Sequence, residues 1–255
     1  MVLHVGTSGW MYRDWRGVLY PDGVPQRDWL SRYAEEFATV ENNNAFYRLP
    51  SAQTFADWRR TVPEGFVMAV KASRYLTHMK RLRDPEEPVE RLLERAAGLG
   101  GRLGPVLLQL PPNMREDAGA LDRCLRRFPA TVRVAVEPRH ETWFVPRVRQ
   151  VLEERSAALC WADRRARPTT PLWRTAEWGY LRLHEGIATP PPRYGRRSLR
   201  TWAERVAATW PGGATVHVYF NNDPGGAAVH DAVAFARAAR AAGLAPTRVP
   251  ALPAG

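Results

Sequence analysis

Phe66-Val67-Met68-Ala69-Val70-Lys71 is the stretch on which the fold turns. Large apolar residues take the even positions, Phe66, Met68 and Val70, while Val67, Ala69 and then Lys71 take the odd ones. Side chains on a strand alternate between faces, so this is a strand with one bulky apolar row and a second row that ends in charge. The same division recurs along the chain. Leu181 and Leu183 alternate with Tyr180, Arg182 and His184, Val216, Val218 and Phe220 with His217, Tyr219 and Asn221, and Val134 and Val136 with Ala135 and Glu137. An apolar row facing helices leaves the other row facing inward, and that row becomes polar toward the C-terminal strand ends.

Counting outward from that stretch, strands are expected near residues 3–8, 39–43, 66–71, 105–110, 133–137, 157–161, 179–184 and 215–220. Helical periodicity falls between them at 27–37, 52–61, 88–99, 117–128, 145–155, 198–209 and 227–242. Alternating strands and helices predict parallel βα units, and eight of them in 255 residues predict an α/β protein, a TIM (β/α)8 barrel in a single domain. That domain is expected over residues 1–245, with a Pro/Ala-rich C-terminal tail at 246–255. An open doubly wound sheet is the competitor, but no Gly-rich fingerprint follows the first strand and no nucleotide cofactor motif is present. Arg164 to Trp173 makes a poor helix, so the sixth unit is the weakest. Gly243 is the expected C-cap of the last helix, and Ser198 the expected N-cap of the one before.

Composition narrows the setting. The start predicts no signal peptide, and no apolar run is long enough to span a bilayer. Cys124 and Cys160 are not spaced as a disulfide framework or zinc site, so a cytoplasmic protein with no membrane partner is expected. A net charge of +11 attracts polyanions, nucleic acid among them. Yet Lys71 and Lys80 are the only lysines, leaving 35 of 37 basic residues as arginine in an Ala-, Gly- and Pro-rich chain. That profile fits biased coding and an ordinary solvated surface as well as a nucleic-acid face.

Chemistry is expected where polar residues close the strands. Glu41 and Asn43 follow the second, Lys71 the third, Gln109 the fourth, Glu137 and Arg139 the fifth, Asp163 the sixth, His184 the seventh and Asn221 the eighth. One such residue is commonly a cap, whereas so many neighbouring ends point to a pocket, because buried polarity must be satisfied. Lys71, in a chain that prefers arginine, suggests an amine that holds an anion, acts as a base or forms a Schiff base; a structural pair with Glu41 is the alternative. Glu41, Glu137, Asp163 and His184 form an oxygen and nitrogen set acceptable to a divalent metal, although no local metal motif supports it. Trp10, Tyr12, Trp15, Phe46, Tyr47, Trp143 and Phe144 could stack on a base or sugar, or cover the strand ends.

Several segments together resemble one family. They are Gly6-Thr7-Ser8-Gly9-Trp10, Val40-Glu41-Asn42-Asn43-Asn44-Ala45-Phe46-Tyr47-Arg48-Leu49-Pro50, Lys71-Ala72-Ser73-Arg74 with Thr77-His78, Gln109-Leu110-Pro111-Pro112, Glu137-Pro138-Arg139-His140 with Trp143, and Tyr219-Phe220-Asn221-Asn222-Asp223. The chain thereby resembles the YecE-like family (domain of unknown function seventy-two), which implies a TIM barrel and no settled reaction. The family's recurring polar positions fall on Glu41, Asn43, Lys71, Gln109, Glu137, Arg139 and Asn221. Ala45 stands where that pattern has Thr, and Glu185 interrupts its His-Gly. The expected function is an enzyme of hydrolase or lyase type acting on an anionic substrate, a phosphate ester or nucleic-acid fragment. Glu41, Lys71 and Glu137 are its expected catalytic residues, and Asn43, Tyr47, Arg74, Gln109, Arg139, His184 and Asn221 bind substrate. A sugar-active hydrolase or isomerase, and a non-catalytic binder of nucleic acid or a small ligand, are the alternatives.

Overall fold

The structure is a computed structural model that describes residues 1–210 and 212–252. The last residues of the expected tail, 253–255, lie outside the described residues. In chain order the strands are β1 (Val2–Thr7), β2 (Thr39–Asn42), β3 (Val67–Lys71), β4 (Leu103–Gln109), β5 (Val134–Glu137), β6 (Ala158–Leu159), β7 (Trp161–Arg164), β8 (Arg167–Pro168), β9 (Gly179–Leu183), β10 (Thr215–Phe220) and β11 (Ala245–Pro246). The helices are α1 (Trp29–Glu36), α2 (Asn44–Tyr47), α3 (Ala52–Thr61), α4 (Glu86–Ala96), α5 (Ala118–Leu125), α6 (Pro146–Glu154), α7 (Arg196–Thr209) and α8 (Ala227–Ala241). Every helical stretch expected from periodicity holds one of them, and the fold is mixed α/β with parallel sheets. Among the described residues no helix is long and apolar enough to cross a membrane.

The chain divides into two compact units. Unit 1 takes Met1–Glu41, Ala162–Pro168 and everything from Trp178. Its β1, β9 and β10 are parallel, with Val5 beside Val218 and Val218 beside Leu181. The two rows of the sequence separate here. Leu3, Val5, Leu181, Leu183, Val216, Val218 and Phe220 are buried, and Phe220 reaches the α8 ring of Phe235 at 5.8 Å. The other row stacks His4 on His217 at 4.8 Å and Tyr180 against Tyr219 at 5.3 Å, and it ends in Arg182. Ala245–Pro246 pairs with β1. Gly243 closes α8 at φ +78°, as expected of a C-cap. Ser198 does not cap α7, which begins two residues earlier at Arg196, after Gly195.

Unit 2 takes Asn42–Trp161 and Thr169–Glu177. Here β3, β4, β5 and β6 are parallel and adjacent in that order. Register sets Lys71 beside Leu107 and Gln109 beside Glu137, so the polar ends of β4 and β5 meet directly. The expected sixth strand is divided into β6 and β7, interrupted at Cys160. No helix follows it, because Asp163 and Arg164 pair antiparallel with Pro168 and Arg167 around Arg165 and Ala166, both at positive φ.

Gly6 shows how tightly β1 and β2 approach, since a Cβ there would lie 2.4 Å from the Thr39 carbonyl oxygen. Gly6→Ala is expected to cost about 1–3 kcal/mol through overpacking. Gly101→Ala, whose Cβ would meet nothing within 4 Å, is expected to stay within about 0.5 kcal/mol. Thermal or urea unfolding of the two variants checks the contrast.

Candidate functional site

In unit 2 the ends of β3, β4 and β5 carry the most charge-dense arrangement. Lys71 is 8% exposed, and its Nζ sits 4.0 Å from the centroid of the Phe46 ring, a cation–π contact. Phe46 lies on α2, whose first turn is built by Asn42: its Oδ1 accepts from the Asn44 N–H at 2.9 Å and the Ala45 N–H at 3.3 Å. That cap bends the chain out of the strand, so Asn43 has helical dihedrals, φ −93° and ψ −13°, and leaves the row it was expected to share with Glu41. Lys71 is followed by a π-type turn, Tyr75–Met79, which brings the His78 ring edge-on to Phe46 at 4.9 Å.

Glu137 is 1% exposed and held from two sides. Gln109 Nε2 donates to its Oε2 at 2.9 Å and Arg139 Nε to its Oε1 at 3.3 Å. Arg139 and Arg74 reach solvent, and Tyr47 is 81% exposed at the rim of Phe46, 5.0 Å away edge-on. The surroundings of His78 show the sign of the field. Burial first, then the cations of Lys71, Arg74 and Arg139, push its ring from the ordinary 6.5 down to about 4. Three cations therefore converge near one neutral imidazole, with a fixed carboxylate beside Arg139.

Unit 1 has a second, drier network. Glu41 is fully buried and accepts from the Ser8 hydroxyl, from Tyr180 OH at 2.5 Å, and from Arg182 Nε and Nη2 at 3.1 and 2.8 Å. Arg182 Nη2 also donates to Ser8 Oγ at 3.0 Å and to Asn221 Oδ1 at 3.4 Å, and the Asn221 amide lies 3.1 Å from His184 Nδ1. The Glu41 partner within unit 1 is thus Arg182. Asp223 lies near this network, and burial pushes its carboxyl up to about 7 against the pull of Tyr12 and Arg182. Asp163 accepts from the His184 backbone N–H at 3.0 Å and from the Tyr194 hydroxyl, and burial raises it to about 7 as well.

The expected residues therefore fall into two sets. Lys71, Arg74, Gln109, Glu137 and Arg139 come together in unit 2, with Tyr47 at the edge of Phe46; Glu41, His184 and Asn221 belong to unit 1. The conditional metal set is not assembled: among the described residues no group of three or more His, Cys, Asp or Glu side chains is placed to hold an ion. Asp163 and His184 instead bond through a backbone N–H. Most of the expected stacking rings pack inward. Trp10, Trp15 and Trp143 are buried, and the last two donate their indole N–H to the carbonyls of Asp223 and Met114. Sequence reasoning missed His78, Ser8, Tyr180 and Arg182. For Arg182 a signal existed, a guanidinium between two leucines in mid-strand; Ser8 and His78 stood within the family segments, but their contacts depend on turn geometry.

Known proteins bear on this arrangement. The family described as "Protein of unknown function DUF72" matches residues 4–254. The chain is similar to the UPF0759 protein YecE of Escherichia coli (strain K12), 28% identical over 144 residues, which is 56% of this chain and 50% of that protein. It is similar also to the UPF0759 protein YunF of Bacillus subtilis (strain 168), 26% identical over 153 residues, 57% of this chain and 53% of that protein. The chain thus spans about half the length of the curated relatives it matches. A crystal structure of a DUF72 family protein from Thermotoga maritima MSB8 superposes with a TM-score of 0.80 at 26% identity, covering 93% of this chain and 98% of that one.

Arg182→Leu is expected to leave the Glu41 carboxylate buried without its cation, costing about 3–5 kcal/mol in urea unfolding. For His78 the folded value of about 4 lies below the ordinary 6.5, so the unfolded chain takes up the proton first as pH falls. Its contribution is complete above 6.5 and lost toward 4. His78→Gln is therefore expected to flatten the fall in Tm across that window. The two raised carboxyls act oppositely, since the folded chain holds their protons between 3.8 and about 7. Asp163→Asn is thus expected to raise Tm more at pH ~8 than at pH ~5.

Proposed function

We propose that this chain, which belongs to the DUF72 family of proteins of unknown function, is an enzyme that holds an anionic substrate against Lys71, Arg74 and Arg139. The observation that carries the reading is geometric: Lys71 Nζ and the His78 ring both meet the Phe46 ring, at 4.0 and 4.9 Å, and Arg139 reaches out beside Glu137, with the depressed His78 in keeping with cations nearby. A phosphate ester or the phosphate of a nucleic-acid fragment is the substrate class, because two arginine forks and a compact ammonium suit a tetrahedral oxyanion. The exposed ring of Tyr47 adds a surface on which a base can stack, which favours a nucleotide or oligonucleotide within that class.

In this reading Glu137 moves the proton. Gln109 and Arg139 fix both of its oxygens, so its orientation is set before substrate arrives. Neutral His78, whose Nδ1 lies 2.9 Å from Thr77 Oγ1, is placed beside the bound anion. Glu41, which accepts from Ser8, Tyr180 and Arg182, serves in unit 1 as the counter-ion that shapes Arg182, with His184 and Asn221 there, and Asn43 in unit 2, as polar positions of lesser commitment. The finer reading of the fold as a single-domain TIM (β/α)8 barrel belongs to the same proposal, supported by the parallel βα repeats, as does a cytoplasmic location. A sugar-active site is disfavoured, since the tryptophans it would use for stacking are buried.

The test is an NMR titration of the His78 ring with and without inorganic phosphate or a nucleoside monophosphate. A bound anion offsets the three cations, so the His78 pKa is expected to rise from about 4 by roughly a unit or more. Lys71→Gln and Arg139→Gln are each expected to weaken binding about tenfold. Across phosphomonoester and oligonucleotide substrates, Glu137→Gln is expected to lose at least about 100-fold in kcat while still binding phosphate. A His78 pKa unmoved by saturating anion would sink the anion reading, and full turnover in Glu137→Gln would sink the role of Glu137.

A further inference from the structure

In unit 1, α7 and α8 pack side by side and border a groove of about 730 Å³, within the size range of small-molecule sites. Its floor is aliphatic, with Leu199 from α7, Val233, Ala234 and Ala238 from α8, and Leu252. Its rim is cationic, formed by Arg193, Arg196, Arg197, Arg200 and Arg237. Among the described lining residues the one carboxylate is Asp231, and it is turned inward. It accepts from Arg193 Nε at 3.2 Å, the Tyr194 N–H at 2.9 Å and Asn222 Nδ2 at 2.7 Å, while Arg237 donates to the Leu252 carbonyl, a neutral acceptor that leaves its charge in place. Arg200 has Glu204 at 3.7 Å, but both are largely exposed and such a pair is weak.

The placement of the arginines suits an anion. Arg196 and Arg197 occupy the first turn of α7, where the aligned peptide dipoles already present positive charge, and the preceding Gly195 offers no side-chain cap. An anion at the rim would offset both. The lining also indicates what the rest of the ligand is. Its lining holds no Phe or Trp, and Tyr194 is buried with its hydroxyl committed to Asp163, so the half-buried His230 imidazole is the one other ring among the described lining residues and little flat surface is offered to stacked bases. The floor instead matches an aliphatic body.

We propose that this groove binds an anionic amphiphile, its aliphatic body lying on Leu199, Val233 and Ala238 and its phosphate or carboxylate head among Arg197, Arg200 and Arg237. The residues differ from those assigned to the anion site of unit 2, so the two proposals stand or fall separately. His230, which also lines the groove, provides a local reporter distinct from His78.

The test is calorimetric titration of the full chain with decyl phosphate and with decanoate below their micelle concentrations, followed in parallel by the His230 and His78 ring signals. Saturable binding is expected, with His230 shifted. Inorganic phosphate and the neutral octyl glucoside should each bind this groove at least tenfold more weakly. Arg197→Glu combined with Arg237→Glu, both at exposed positions, should weaken binding at least tenfold, and Ala238→Phe, which fills the floor, should do likewise without disturbing the charges. Tighter binding of decyl phosphate than of decanoate would identify a phosphate head, and the reverse a carboxylate head. The proposal is overturned if neither amphiphile saturates or if the variants bind as the parent does. It is equally overturned if octyl glucoside binds as well as the charged ligands, or if a short oligonucleotide occupies the groove more tightly than decyl phosphate.

Discussion

A carboxylate with no exposure to water, Glu41, is the third residue of a four-residue strand, and unit 1 supplies its partners. Removing an ion from water is costly enough that it must be met by a counter-charge and by donors for its remaining lone pairs. Arg182 supplies the first, Ser8 and Tyr180 the second. Ser8 follows β1, and Tyr180 and Arg182 both lie on β9, so one ionic constraint ties β1, β2 and β9 together. Arg182 is in turn fixed toward Asn221, and Asn221 toward His184. Replacing Glu41 and Arg182 together by well-packed hydrophobic residues would keep comparable stability, but it would lose this chain of orientation.

Unit 2 handles charge in the opposite manner. Its Glu137 is likewise buried, but its cationic partner Arg139 remains substantially open to solvent, and Lys71 rests under an aromatic face. Arg139 thus keeps a side available to an incoming group. The two units thereby separate a sealed ion pair, which organises structure, from an open one, which suits recognition. Arginine and lysine divide along the same line: the sealed pair uses the rigid fork of Arg182, and the open cluster includes the compact ammonium of Lys71.

Much of this was legible in the alternation along the strands. The row holding Gln109 and Glu137 follows from the pleat, and parallel register then places them side by side. The inward direction of Tyr180 and His217 follows in the same way. What was not legible depended on departures from periodicity. Asn43 leaves its row because Asn42 caps a one-turn helix, and three consecutive amides do not reveal which of them will bend the chain. His78 reaches Phe46 only through a π-type turn, which has no hydrophobic repeat to announce it. Arg182 was visible as a member of the inward row, but the carboxylate it neutralises is 141 positions away, and pairing over that distance has no local signature.

The scarcity of lysine has a practical meaning once Lys71 is placed. It stands at a strand end with a sliver of exposure under the Phe46 ring, and the second lysine, Lys80, lies nine positions further on. Elsewhere the basic side chains are guanidinium groups, which amine-selective reagents leave untouched. Acylation or reductive methylation would therefore place its side-chain labels within one short segment beside its cationic cluster, with the α-amino group as the other reactive amine. A surface saturated with positive charge thus behaves, toward amine chemistry, as a nearly blank background on which a single neighbourhood can be written.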